Sequence, residues 1–460
     1  MQMTRLEDHP TTTGTLVRWV PSAVSLQAIE TNTPTKRRGS YMQEAHLGLR
    51  NAMAREGKSD ASWIGLSFDL PANTDMNSIA HALDKLAERH SIFRGWFSGS
   101  DGEYAWHELA EGELSFETEL VGEAPTEADV KSFVLNELTT ACTPFDTIGW
   151  RLCGVIGEDK MVLYIGQDHI YTDGFSAILM FSEFIALLND PNAIDTMHPV
   201  GAFQDFAEIE RAAADLATID HPAVEQWAAF ALADPEGGTP RFPMDTGIAV
   251  GQKTELGPYR LDLFTAEEDA RLDAYARSIG ATFPSLLHAA LAIATRDVAG
   301  KSLHRFLNPV HTRNDPQWWL SMGWYINVVP VMAQLTETDT LESVAVTMRE
   351  SLRSGMDVAE LPALRVMELI QEVFGFDPES AGRPPIISYL DGRNLPGQEI
   401  WDEHRFHGLT GAGEHDDVNV WLNRMPNETY VMCAVPDTEQ AMKAVDDYFT
   451  YARDLLRALL

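Results

Sequence analysis

Residues 167–174 read QDHIYTDG, which sets an imidazole and a carboxylate four positions apart, at His169 and Asp173. A neutral imidazole can take a proton from a hydroxyl near pH 7, because its ordinary pKa is about 6.5. Asp173-Gly174 offers a sharp turn and a carboxylate able to bind a neighbour. Deprotonation of a hydroxyl is therefore the chemistry this spacing allows, although H-x-x-x-D-G alone is a loose pattern. The other candidates are weaker. His404 and His407 form an H-x-x-H without thiolates nearby, which is poor evidence for a metal. The glycines of 408–413 do not open a clear helix and do not match the dinucleotide fingerprint. No P-loop and no G-x-S-x-G nucleophile elbow occur.

The flanks explain how such a pair would be held. The apolar run 161–166 is long enough for one buried strand. In 175–188, Ile178, Phe181, Ile185 and Leu188 recur at helical spacing. His169 and Asp173 thus fall in the turn between a core strand and a core helix, where rigid elements position a loop. Residues 150–156 and 161–170 read as a hairpin around Gly157–Lys160. The pattern predicts further strands at 15–20, 62–71 and 302–310. It predicts helices at 40–53 (Ser40 as cap), 76–93, 124–140, 203–215, 222–233, 265–280, 282–300, 340–354 and 438–459. Residues 318–335 mix aromatics with Gly323, Asn327 and Pro330. The turn-rich stretch 189–201 marks a boundary. This mixed order predicts an α/β sandwich in two halves, residues 1–190 and 200–460.

A chain of 460 residues fits two domains better than one core. With 34 basic and 69 acidic residues, net −35, its surface repels phosphate backbones and argues against nucleic acid as a partner. It equally disfavours a basic patch for anionic lipid. Lys36-Arg37-Arg38 is one of few basic clusters; it reads as a solvated loop, with an anion contact as the sharper alternative. Cys142, Cys153 and Cys433 form no C-x-x-C pair, which fits a reducing compartment and no disulfide framework or zinc site. The N-terminus has no apolar signal core, and no apolar run nears the roughly 20 residues of a membrane span. A cytoplasmic location is expected.

Seven segments carry a likeness, in order: SYMQEAH at 40–46, ERHSIFRGWF at 88–97, PFDTIGWRLCGV at 144–155, DHIYTDG at 168–174, AFQDFAEIE at 202–210, MGWYINVVPV at 322–331 and AELPALRVMEL at 359–369. They resemble segments of the chloramphenicol acetyltransferase-like superfamily: S-x-x-Q, R-H-x-x-L-R-x-x-F, P-F-D-L…P-L-R, H-H-x-x-x-D-G, Y-x-D-F-A-x-W, G-x-F-x-N-x-x-P and D-x-P-F-x-x-x-x-E. That superfamily includes condensation domains and polyketide-associated acyltransferases. GWYINVVPV, ISYLDGR and VNVWLNRMPNETYV look most like the actinobacterial polyketide-associated branch that acylates trehalose, and that likeness runs nearly end to end.

The resemblance implies two chloramphenicol acetyltransferase-like domains in a V around a central channel, with segments of the second crossing to the first. It implies transfer of a fatty or polyketide-derived acyl group from a CoA or carrier-protein thioester to a sugar hydroxyl, trehalose first, in glycolipid biosynthesis. His169 matches the catalytic histidine. Asp173 matches an aspartate that points away from substrate and pairs with an arginine, here Arg313, to shape the loop. Gly174 would let the backbone bend close to the channel. Asp168 replaces the usual first histidine. It stands with Tyr171, Thr172, Trp324 and Asn327 along the substrate channel; Trp324 would pack an acyl chain or the core, and Asn327 would orient an oxyanion or substrate. Asp391-Gly392-Arg393 would form a loop near it. No cofactor beyond the thioester substrate and no metal are implied. The partners are an acyl-CoA or acyl-carrier protein and a sugar acceptor. Contact with a membrane or lipid transporter would be transient, and the chain a monomer. Two alternatives stay open: a freestanding condensation enzyme forming an amide or ester in nonribosomal peptide biosynthesis, and a noncatalytic scaffold, for which Asp168 is the only support.

Overall fold

The strand ahead of His169 is apolar on both faces because successive residues are buried on each, and it lies inside a sheet with a partner on each edge. A computed structural model of the protein describes residues 2–57, 63–100, 102–234, 239–374, 384–410 and 413–460. The chain opens with β1 (Gln2–Arg5), β2 (Gly14–Pro21), α1 (Ala23–Thr31) and α2 (Tyr41–Arg55). There follow β3 (Trp63–Pro71), α3 (Met76–Arg89), the hairpin β4 (Gly95–Ser100) and β5 (Glu103–Glu108), β6 (Phe116–Ala124) and α4 (Glu127–Ala141). The hairpin β7 (Trp150–Ile156) and β8 (Lys160–Asp168) leads through a 3-10 turn, His169–Tyr171, into α5 (Gly174–Asn189). Next come α6 (Phe203–Leu216), α7 (Pro222–Leu232), β9 (Thr254–Thr265), α8 (Ala266–Ser278), α9 (Phe283–Asp297), β10 (Leu303–His311) and β11 (Ile326–Gln334). The chain ends with α10 (Leu341–Asp357), α11 (Ala363–Phe374), β12 (Ile387–Asp391), β13 (His407–Thr410), β14 (Glu414–His415), β15 (Asn419–Arg424), β16 (Glu428–Pro436) and α12 (Glu439–Arg457).

Contacts divide the chain into two units. The first holds residues 1–212, 313–325 and 395–413; the second holds 213–312, 326–394 and 414–460. Two short pieces of the later chain therefore belong with the first unit. One brings Arg313 to Asp173, and the other supplies β13 to the first sheet.

That sheet has the order β1-β13-β3-β8-β7-β2-β6. It is antiparallel except where β1 runs parallel to β13. β8 pairs with β3 on one edge, Trp63 opposite Asp168, and with β7 on the other, Trp150 opposite Gln167. Val134, Leu138, Val155, Val162 and Tyr164 lie in the core on one face of the sheet.

The second unit holds a sheet of order β12-β15-β16-β9-β14 and the antiparallel pair β10–β11. Its core is built on α9, which buries Leu286, Leu287, Leu291 and Ile293 and packs against α10, α12 and β10. β9 shows no clear period in the sequence, because Gly257, Pro258, Arg260 and Asp262 interrupt it. It becomes a strand by pairing along the length of β16, whose residues supply the missing order. Among the described residues no single helix is long and apolar enough to cross a membrane. The bent pair α8–α9 passes on combined length and composition, and α9 is core.

Candidate functional site

β8 ends at Asp168, whose extended backbone and carboxyl open the 3-10 turn: Oδ1 accepts from Ile170 N–H at 3.1 Å. Asp173 closes the turn by capping α5, its Oδ1 accepting from Ser176 N–H at 2.8 Å. His169 is half-buried between these two caps, and its buried Nδ1 bonds to no other residue. Its ring stacks on Trp324, centroids 3.8 Å apart and planes 27° apart. Burial pushes the His169 pKa down to about 4, and the charge of His46 adds to this. Its own carbonyl, Asp168 and Asp173 oppose the shift. The imidazole is therefore neutral at pH 7 and able to accept a proton.

Asp173 has no free oxygen. Arg313 Nη1 donates to Oδ2 at 2.9 Å and Nη2 to Oδ1 at 3.2 Å, with both side chains buried. Tyr325 N–H donates to Oδ2 at 3.0 Å. Arg313 Nη2 also donates to Ser176 Oγ at 2.7 Å and to Ser321 O at 3.3 Å, and its guanidinium lies over the Phe175 and Tyr325 rings. Ser176 Oγ in turn donates to Gly323 O and accepts Gly323 N–H. The network thus grips the backbone on both sides of Trp324 and lays its indole on His169. Gly323 is required there, because a Cβ would fall 2.1 Å from a Phe203 ring carbon.

The remaining predicted residues take different places. Tyr171 is fully buried, its hydroxyl accepting from Gly149 N–H and donating to Gly95 O, so it braces the turn rather than lining an open surface. Thr172 is likewise buried, its Oγ1 bonded to Asp173 O. Gly174 is the exposed first residue of α5 without positive φ, and a Cβ there would meet nothing within 4 Å; the bend comes from the Asp173 cap and not from glycine. Asn327 lies in the second unit. Its Nδ2 donates to Ala359 O and Leu361 O, and its Oδ1 accepts from Val328 and Ala363 N–H. The amide's two donors are committed to this helix-end anchor, leaving none for an oxyanion.

Asp391 and Arg393, also in the second unit, pair with each other at 2.6 Å, and Asp391 lies 3.9 Å from Arg424. Arg37 pairs with Asp205 and Glu208 and Arg38 with Glu44, so these two arginines of the basic cluster are engaged within the chain. His404 and His407 bond to the carbonyls of Asp69 and Arg405.

Sequence reasoning did not reach Ser176, nor His46 and Arg50 on α2, which approach Asp168 at 3.0 and 3.6 Å. Their only local signal is the spacing of Gln43, His46 and Arg50 along one helix face. Gln43 has two roles that the S-x-x-Q pattern conceals. It forms a capping box with Ser40, and its Nε2 donates to Ile170 O at 2.9 Å. His90 of ERHSIF bonds through Nε2 to Glu183 at 2.7 Å and accepts Met322 N–H at Nδ1, tying α3 to the segment that carries Trp324.

The condensation-domain family matches residues 47–373, most of the chain. The chain belongs to the condensation-domain family. Among curated relatives of this family, acyltransferase PapA3 of Mycobacterium tuberculosis (strain CDC 1551 / Oshkosh) is 23% identical over 98% of this chain and 95% of its own length. Trehalose-2-sulfate acyltransferase PapA2 of Mycobacterium bovis (strain BCG / Pasteur 1173P2) is 23% identical over 98% of this chain and 96% of its own. A solved structure of PapA2 acyl transferase superposes with TM-score 0.87 at 21% identity, covering 100% of this chain and 99% of that one. The condensation domain of the Monacolin K polyketide synthase MokA superposes with TM-score 0.67 at 15% identity, over 92% and 96% of the two chains. The condensation-domain likeness extends to fold and to membership among acyltransferases.

Proposed function

We propose that this acyltransferase moves a fatty or polyketide-derived acyl group from a CoA or carrier-protein thioester to a sugar hydroxyl, with trehalose or a trehalose sulfate as acceptor, in cytoplasmic glycolipid biosynthesis. The observation that carries the reading is the neutral, half-buried imidazole of His169, stacked under Trp324 in a turn capped at both ends. The full-length likeness to trehalose-2-sulfate acyltransferase PapA2 supports the acceptor class, and that to acyltransferase PapA3 supports acyl transfer.

In this mechanism His169 takes the hydroxyl proton as the sugar oxygen attacks the thioester carbonyl. The C–O bond forms and the C–S bond then breaks. The imidazolium returns its proton to the departing thiolate, leaving ester and thiol. The thiolate leaves well, so no covalent enzyme intermediate is needed. A pKa of about 4 makes His169 a weak base but a strong conjugate acid, suited to the second proton transfer. Asp173 takes no part in proton transfer, since every lone pair that matters is engaged.

Radiolabelled acyl-CoA offered with trehalose, trehalose 2-sulfate or an amine acceptor tests this. Ester product on a sugar supports the reading; amide product alone would favour the nonribosomal condensation alternative. Normal turnover by a folded His169→Ala variant would remove His169 from the chemistry. Binding of the acyl-CoA without turnover of any acceptor would favour the scaffold.

A further inference from the structure

Position 168 holds an aspartate, and the structure shows what answers its charge. The Asp168 carboxyl is fully buried. Oδ1 lies 3.0 Å from His46 Nε2 and also accepts Ile170 N–H. Oδ2 lies 3.6 Å from Arg50 Nε. Three residues before His46, Gln43 Nε2 donates to Ile170 O at 2.9 Å. Gln43, His46 and Arg50 stand at i, i+3 and i+7, so they form one stripe along α2. That stripe holds the His169 turn from both sides of its backbone. His46 also meets Trp324 edge-on at 5.7 Å, and its ring centre is 6.2 Å from that of His169. A buried carboxylate is costly unless paired, and this one joins His46 and Arg50 of α2 to the turn that bears the reacting ring.

We infer that His46, acting through Asp168 with Gln43 and Arg50 beside it, is a positioning residue that sets the orientation of His169. This rests on His169 being the base. The titratable and charged groups around the turn are His46 and Arg50 from α2, Asp168 from β8, and Asp173 at the start of α5 with Arg313 on it. His46 lowers and Asp168 raises the proton affinity of His169, so the two residues make opposite predictions.

The test uses the full chain with palmitoyl-CoA and trehalose, and follows the His169 ring by NMR titration. His46→Ala lowers kcat by about 10- to 100-fold, as small misplacements of a catalytic group do. KM for palmitoyl-CoA stays within about twofold, and the His169 midpoint moves to higher pH. His46→Gln, whose amide still donates to Asp168, recovers most of kcat. Asp168→Asn moves the midpoint to lower pH. Should His46→Ala fail to fold, the midpoint still tests the inference: it moves to higher pH in His46→Gln and to lower pH in Asp168→Asn, and an unmoved midpoint in both overturns it. Wild-type kcat and midpoint in His46→Ala overturn the inference, as does equal loss of kcat in the Ala and Gln variants matched by equal loss of melting temperature. The parent reading fails separately: a His169→Ala variant that turns over normally removes the base, whereas a dead His169→Ala beside a fully active His46→Ala removes only the positioning role.

Discussion

Removing Arg313 isolates the strongest electrostatic commitment of the site. In Arg313→Met the aliphatic stem is kept and the guanidinium lost. Asp173 then keeps its bonds from Ser176 and Tyr325 N–H but loses two charge-assisted bonds, at 2.9 and 3.2 Å. Its side chain is only 1% exposed, so water does not replace them. Stranding one partner of a buried pair costs about 3–5 kcal/mol. Ser176 Oγ and Ser321 O each lose a donor as well, which places the cost toward the upper end. Urea unfolding at pH 7, followed by tryptophan fluorescence, measures the loss as a lower midpoint at unchanged slope. Asp173→Asn is expected to cost a similar amount, and the double variant less than the sum by about 2 kcal/mol or more, because neither charge is then stranded. Loss of kcat should accompany loss of stability, since the same bonds seat Trp324 on His169. A cost below about 1 kcal/mol for Arg313→Met, or strictly additive variants, would refute the buried-pair reasoning.

Acid should act on stability before it acts on the base. The folded His169 pKa is about 4 and the unfolded value about 6.5. As pH falls the unfolded chain binds the proton first, so this contribution is complete above pH 6.5 and is lost down to about pH 4, worth about 3 kcal/mol. His9, His288 and His304 are lowered by burial to about 3, 3 and 4 and add losses of the same sign, so melting temperature measured from pH 8 to 4 should fall steeply below about 6.5; a flat curve contradicts it. Gly323→Ala drives a methyl into Phe203 and should cost about 1–3 kcal/mol in urea while lowering kcat. Asn327→Ala strands the carbonyls of Ala359 and Leu361 and should lower stability by about 1–3 kcal/mol per group, with KM for acyl-CoA unchanged; a selective rise in KM would return Asn327 to the substrate.

The strand–turn–helix around His169 was legible because every signal for it is local: an apolar run, a short polar turn and a helical period within about 30 residues. The Ser40 cap was legible for the same reason. β9 was not, since its order comes from β16, and edge and pairing effects override weak β propensity. Gly174 misled because Asp-Gly is a common turn signal, whereas here the cap does the work and glycine fills an open helix start. Asn327 misled because a polar residue amid aromatics reads as a site, when its bonds close on the start of α11.

By itself the sequence determined the fold class, the order of the seven segments and the strand–turn–helix that carries the proposed base, His169, because type and spacing along the chain carry that information. Only the tertiary structure decided what holds that imidazole. His46 reaches Asp168 across 122 residues and Tyr325 N–H reaches Asp173 across 152, whereas Arg313, which reaches Asp173 across 140, was already named by the family resemblance. No local period encodes such pairs. They exist because burial leaves a carboxylate no solvent partner, and the chain must return to supply one.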